Sequence, residues 1–561
     1  MPVPSAWIDS ATFSDGKRVS FGRDDIVVIV GSNNSGKTEV LRGIEQRLRQ
    51  SWGPAPVVTA LTIKREGTEE ALLAWLEANS VKVPSGTNDV MYSQGDDCKV
   101  LRNSAKLYWR PTEAHLADLA GFFCFRLSAD RRLAASDPPR SISLTSEPLA
   151  HPIHHLQADD RLEAKISTVF RRVFGMDLIV HRNAGSKVPI HCGQRPIMPP
   201  GKDRVSFEYL QGLQELPAVH RQGDGIRAFV GVLLYALTVH YSMLLIDEPE
   251  AFLHPPQIRQ LAHALARETP ADRQMFIATH SGDFVRAMVE ADQGRVRILR
   301  LHREQNTNHV RLLDNDQIRN LWSDPLLRHS NVLDGLFHEM TIVAEGDADC
   351  RFYSAIKDIC DKDVRTPQDV LFVPCGGKAR VKTVVRALKA LAVPVRVICD
   401  FDVVSDEHPL RDIYEDLGGR WDQIQKDWRL VKESVGGRQA ELPADRVKAD
   451  IEQVLSDIKG KEFPKSATRE IETILRKASP WAMAKQVGVP FIPPGDAAQA
   501  FARLDSALKN VGCYIVPVGE LEGFDRTVGN HGPKWVSSVL EKDLAGADLE
   551  AARKFVALVV S

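Results

Sequence analysis

Short apolar runs that stop at a glycine or an acid recur along this chain, and several lead into apolar residues at helical spacing. Residues 26–30 are one such run, ending at Gly31; Val40, Leu41 and Ile44 follow on a helical period. Residues 242–246 end in Asp247-Glu248, and 275–278 in Thr279-His280. In the second half, 340–344 end in Glu345, 370–374 lead to Cys375-Gly376-Gly377-Lys378, and 395–399 end in Asp400. Alternation of such strands with helices (381–391 among them) predicts a mostly parallel sheet. Around these, 7–21 predict a hairpin about Asp15-Gly16, 57–63 and 122–127 strands, and 69–78, 160–174 and 229–239 helices. Residues 134–157, rich in Ser, Pro and His, predict a loop or linker, and 185–201 a hairpin or irregular segment. The charged helical patterns 415–430, 446–458 and 467–478 predict a helical insertion over about 405–510.

Length and composition narrow the class. At 561 residues the chain exceeds one core, and two or three domains are expected. With 43% hydrophobic and 26% charged residues it reads as globular, and a net charge of −2 leaves any basic groove local. Eight Cys without a C-x-x-C pair predict reduced thiols, neither disulfides nor zinc. His151, His154, His155, His181 and His191 fit no ligand spacing. No apolar run approaches the ~18 residues of a membrane span, and the first residues lack a signal-peptide pattern, so a cytoplasmic location is expected.

Candidate chemistry sits at the strand ends. Gly31-Ser32-Asn33-Asn34-Ser35-Gly36-Lys37-Thr38 reads G-x-x-x-x-G-K-T between a strand and a helix, the context of a phosphate-binding loop. Gly31 and Gly36 let the backbone approach phosphate, and successive N–H groups, those of Asn33, Asn34 and Ser35 included, face it. Lys37 is expected on the β- and γ-phosphates of ATP, and the Thr38 hydroxyl on Mg²⁺. Asp247 would hold that Mg²⁺ through water, and Glu248 would polarise the attacking water. His280 would contact the γ-phosphate or position the water, and an arginine of Arg131-Arg132 could reach nucleotide or a domain interface. Arg221 to Phe229, with Gly223-Asp224-Gly225, opens an apolar helix. The order of loop, glycine-rich helix, Asp-Glu strand and His strand resembles ABC-like ATPase heads, over roughly residues 7–300. That resemblance implies nucleotide sandwiched between subunits, hence a homodimer or higher oligomer. The usual signature serine is not evident, and Asp224 in that turn would repel nucleotide unless paired or turned away.

In a parallel sheet the carboxyl ends of neighbouring strands gather at one edge, which brings Glu345, Asp400 and Asp402 together. Strand alternation points Asp400 and Asp402 the same way, and three carboxylates so close without salt-bridge partners are stable only with a cation, Mg²⁺ or Mn²⁺, or with a raised pKa. Glu-Gly-x-x-Asp from Glu345, Gly-Gly-Lys at Gly376 and Asp-x-Asp at Asp400 together resemble a TOPRIM domain. An ABC-like head followed by TOPRIM resembles the OLD (overcoming lysogenization defect) family nucleases, which include the Gabija nuclease subunit and retron-associated effectors. The resemblance implies Glu345, Asp349, Asp400, Asp402 and Glu522 as metal ligands, Glu520 as substitute for Glu522, and Lys534 as a group stabilising the scissile phosphate. It also implies an α/β chain. An ABC-like ATPase domain over 1–330 would carry an inserted, candidate dimerisation segment near 145–205. A TOPRIM domain over 331–561 would follow. The expected function is an ATP-regulated, metal-dependent DNA endonuclease of antiviral defence, acting on DNA and paired with a helicase-like or reverse-transcriptase partner. Lys459, Gly460, Lys461, Lys465 and Arg469 could line a DNA path, although a solvated face explains them as well. Rival readings are a non-catalytic ATP switch that scaffolds DNA or a partner, and a DNA-repair ATPase/nuclease. Topoisomerase and primase chemistry lack a tyrosine that stands out and a zinc ribbon.

Overall fold

The computed structural model describes residues 3–50, 52–85, 89–94, 98–198, 200–239, 241–292, 294–305, 307–313, 319, 331–438, 444–458, 463–477 and 480–561. It divides into two compact units, Met1–Arg319 and Asn320–Ser561. The expected boundary at residue 330 falls among residues outside those described.

The first unit is built on a six-stranded sheet in the order Thr307–Leu312, Val296–Glu304, Ile26–Gly31, Gln274–Ala278, Met243–Asp247, Cys124–Leu127. All neighbours are parallel except the hairpin of the first two strands. Ile26–Gly31 lies inside the sheet, and both its faces are covered. That is why residues 26–30 are apolar without alternation and fully buried. Asp247 pairs with Ala278, and Ile29 with both Ala278 and Leu299, so the phosphate-binding loop, Asp247 and Thr279 emerge at one edge. A separate antiparallel sheet joins Arg18–Ser20, Ser5–Phe13 and Val58–Glu66, the first pair being the expected hairpin.

Three local expectations are corrected. Residues 120–123 form a helical turn and only Cys124–Leu127 is strand, because Met243–Asp247 offers pairing to those four residues alone. Within 134–157, Pro152–Ala158 is a helix: Pro152 opens it and His151 caps it, its Nδ1 accepting from Ile153 N at 3.2 Å. Residues 415–430 hold two helices, Glu407–Asp416 and Trp421–Gly436, parted at Gly418, whose φ of 105° ends the first.

The second unit has a four-stranded parallel sheet ordered Val370–Pro374, Met340–Ala344, Val395–Cys399, Cys513–Ile515. Asp347–Cys360, Pro533–Leu540 and Glu550–Val560 close one core, in which Phe352, Tyr353 and Trp535 are almost fully buried. Between Val395–Cys399 and Cys513–Ile515 lies the helical insertion. Its helices are Glu407–Asp416, Trp421–Gly436, Ala444–Ser456, Lys465–Lys477, Pro480–Val487 and Asp496–Asn510. Lys459, Gly460 and Lys461 lie outside the described residues, and Lys465 and Arg469 are exposed.

Candidate nucleotide pocket and candidate metal centre

In the first unit the loop is cut to fit its surroundings. A Cβ on Gly31 would meet the Leu301 carbonyl oxygen at 2.4 Å, and Gly36 takes a φ of 92° as it opens helix Lys37–Arg49. Asn33 and Asn34 are exposed, Asn34 with a φ of 61°; Ser35 is fully buried beneath them. Lys37 is buried, and its Nζ donates to the carbonyls of Gly31 at 2.8 Å and Ser32 at 2.9 Å. Burial lowers its pKa to about 8, against the opposing pull of Glu248, Glu250 and Asp247. Thr38 Oγ1 donates to Asp247 Oδ1 at 3.1 Å, which joins the loop to the acidic strand end. Burial raises the Asp247 pKa, and that hydrogen bond opposes the rise. His280 Nε2 lies 3.0 Å from Glu248 Oε1, and burial, then Lys37, keep the imidazole below its ordinary value. Asp224, the acid of the glycine-rich turn, is turned to Arg227 at 3.3 Å. A cavity of about 550 Å³ is lined by Asn33, Asn34, Gly36, Lys37, Thr38, Glu39, His280 and Arg303.

Two residues of this site, Arg303 and Glu250, carried no readable signal. Arg303 reaches the cavity because Val296–Glu304 pairs beside the loop strand, a long-range fact of sheet order. Glu250 is the half-buried anchor of the edge: its Oε1 accepts from Thr279 Oγ1 and His280 N, both at 2.7 Å. Of the Arg131-Arg132 pair, Arg132 is fully buried and donates to the carbonyls of Asp247 (2.9 Å) and Glu248 (2.8 Å). It therefore holds the turn in which Glu248 adopts a φ of 48°.

In the second unit Glu345, Asp400 and Asp402 each place one oxygen within 4.8 Å of the others. Gly376 N and Gly377 N donate to the Glu345 carbonyl at 3.0 and 2.9 Å, which ties the Gly-Gly-Lys segment to the first acid. Asp349 lies at the start of Asp347–Cys360 and accepts from Gly346 N at 2.8 Å. Burial, then Asp400 and Asp402, push the Glu345 pKa up to about 7, and burial with Asp400 pushes Asp349 to about 6. Glu345 Oε1 and Asp402 Oδ1 are buried with no hydrogen-bond partner among the described residues. Buried orphan oxygens in an oxygen-only set fit a hard divalent cation. Glu520, Glu522 and His531 form a second such group within 4.8 Å. Glu522 also accepts from Gly532 N at 2.6 Å, and burial with Glu522 raises Glu520 to about 7. Lys534 is exposed in the first turn of Pro533–Leu540, with no ion pair among the described residues.

Two expectations about this centre are corrected. Asp400 follows the end of its strand and Asp402 lies in the 3₁₀ turn Phe401–Ser405, so a tight turn, not strand alternation, aims both. The carboxylates do have cationic partners: Lys485 Nζ is 2.9 Å from Asp400 Oδ2, and Lys378 Nζ is 3.0 Å from Asp402 Oδ2. Lys485 comes from the insertion helix Pro480–Val487, where nothing in the local pattern marks it.

Residues 102–286 match the AAA_21 family (AAA domain; Type IV TA system). Residues 336–402 match the family described as overcoming lysogenization defect protein-like, TOPRIM domain. The Old nuclease of Escherichia phage P2 is 23% identical over 171 residues, covering 29% of this chain and 28% of that protein. The OLD nuclease of Thermus scotoductus is 29% identical over 436 residues, covering 67% of this chain and 78% of that protein. Among solved structures, an Smc head bound to the C-winged helix domain of ScpA is similar at 14% identity and a TM-score of 0.32. It covers 56% of this chain and 99% of its own.

Proposed function

From a chain that joins an AAA-type ATPase domain to an OLD-like TOPRIM domain, and is homologous to the OLD nucleases, we propose an ATP-regulated, divalent-metal-dependent DNA endonuclease. Those two domains and those homologues support ATPase and nuclease activity. The observation that carries the metal-dependent reading is the Glu345, Asp400 and Asp402 cluster with its orphan buried oxygens.

In the first unit Lys37 and the loop amides would bind the phosphates of ATP, and Thr38 with Asp247 would hold Mg²⁺. Glu248, kept in place by Arg132 and His280, orients the attacking water. Burial and Lys37 disfavour the charged form of His280, and its neutral ring would donate Nε2–H to Glu248 Oε1, which orients that carboxylate. In the second unit Glu345, Asp349, Asp400 and Asp402 would hold one divalent cation, and Glu522 with Glu520 a second. Such ions, when bound, acidify water and neutralise charge on a phosphodiester. Lys534, exposed in the first turn of Pro533–Leu540, would meet the scissile phosphate. We further propose a homodimer or larger assembly that sandwiches nucleotide, and a role in defence against phage.

The test is plasmid cleavage by the purified full-length protein across Mg²⁺ and Mn²⁺, alongside Asp400→Ala. Metal-dependent nicking that Asp400→Ala abolishes is expected. Cleavage by wild type that survives in excess EDTA, or nicking by Asp400→Ala at the normal rate, overturns the proposal. No cleavage by wild type under any metal would favour the switch that only scaffolds DNA.

A further inference from the structure

Lys485 is held where it is by main-chain docking. A Cβ on Gly488 would meet Pro517 O at 2.2 Å and Gly519 N at 2.5 Å, and a Cβ on Gly519 would meet Lys485 O at 2.0 Å. Only two glycines allow backbones to approach this closely. Val489 N donates to Pro517 O at 2.9 Å and Arg526 to Gln486 O at 3.1 Å, so the last turn of Pro480–Val487 is pinned to the segment that runs into Glu520 and Glu522. From that turn Lys485 Nζ reaches two carboxylates at once, Asp400 Oδ2 at 2.9 Å and Asp402 Oδ1 at 3.7 Å. Asp402 Oδ1 is one of the orphan buried oxygens that suit a metal, so the ammonium stands at the edge of the place a divalent cation would take. Two cations cannot share these oxygens at full strength: each neutralises the charge that attracts the other, and they repel at short range.

We infer that Lys485 is a resident cation of the metal centre, competing with a divalent ion for Asp400 and Asp402, so that metal loading requires the ammonium to withdraw. This rests on reading Glu345, Asp400 and Asp402 as a metal centre. An insertion absent from the sheet itself thereby sets the affinity of the site for metal, and anything that loosens the Gly488–Gly519 contact raises that affinity.

The experiment is calorimetric titration of Mn²⁺ into the metal-free full-length protein, without DNA or nucleotide. Lys485→Met, which keeps the length and removes the charge, is expected to tighten Mn²⁺ binding by roughly ten-fold or more. Lys485→Arg, still cationic, is expected to stay within about three-fold of wild type. Lys485→Gln carries the same expectation as Lys485→Met and replaces it if the latter does not fold. Glu345→Gln is expected to weaken binding by roughly ten-fold or more. Unchanged or weaker binding by both uncharged variants, with Glu345→Gln still weakened, overturns the inference and leaves the metal centre standing. Unchanged binding by Glu345→Gln overturns the metal centre and the inference with it.

Discussion

Lys37 is a charge stored inside its own loop. The carbonyls of Gly31 and Ser32 hold it, and burial brings its pKa down to about 8, so it is poised to give up weak partners for phosphate. Lys37→Ala should therefore weaken ATP binding by roughly ten-fold or more with little change in melting temperature, read by direct titration. Glu248→Gln should keep ATP affinity and slow hydrolysis by about 10²-fold or more, measured as phosphate release. Away from either site, His151 predicts an acid-labile contact. Burial, with His154 and His155 adding to it, lowers its pKa from 6.5 to about 4, and its neutral Nδ1 caps helix Pro152–Ala158. The unfolded chain takes up this proton near 6.5 and the folded chain only near 4, so stability falls as pH drops through that window. The share due to His151 is of order 3 kcal/mol. Urea unfolding at pH 7 and pH 4.5 should show a smaller acid loss for His151→Asn, which retains an acceptor for the Ile153 N–H.

At the scale of elements, close backbone approach recurs wherever a functional turn is held. Helix Asp224–Leu237 meets helix Ala129–Ala134 at Gly231, where a Cβ would lie 2.0 Å from Arg132 O. Gly231→Ala should push the two helices apart at a cost of about 1–3 kcal/mol, visible as a lower melting temperature. It should also slow ATP hydrolysis, since Arg132 steadies Glu248 from that spot. The same scale shows what the sequence reveals. The strand, loop and helix about Lys37 were legible because an apolar run, a glycine pair and a helical period coincide within one stretch. So were the parallel strands ending in Glu345 and Asp400, each a buried run with a charged stop. The turn that carries Asp402 was not, because a 3₁₀ turn and one more strand step look alike over so few residues. Lys485 and Arg303 were invisible for another reason: each reaches its site through packing between segments far apart in the chain, and neither lies in a motif.

For the whole molecule, the nucleotide pocket lies in one compact unit and the proposed metal centre in the other, so the two activities should be separable. Asp400→Ala should abolish DNA cleavage while ATP binding survives, and Lys37→Ala should leave Mn²⁺ binding at its wild-type affinity. Plasmid nicking and nucleotide titration on the same preparations check both. Cleavage that responds differently to ATP, ADP and a non-hydrolysable analogue would then report the regulation proposed for the first unit. The order of strands in that unit also dictates how it must be made. Ile26–Gly31 lies between Gln274–Ala278 and Val296–Glu304, both of which come far later in the chain. Its partners arrive only after most of the unit has been synthesised, about half a minute later at typical elongation rates of ~5–20 residues per second. Until then an apolar strand waits unpaired, and non-local pairing of this kind generally slows folding and exposes a chain to aggregation. Fragments cut before Val296 would consequently lack a closed nucleotide pocket, however intact the Gly31–Thr38 motif they carry.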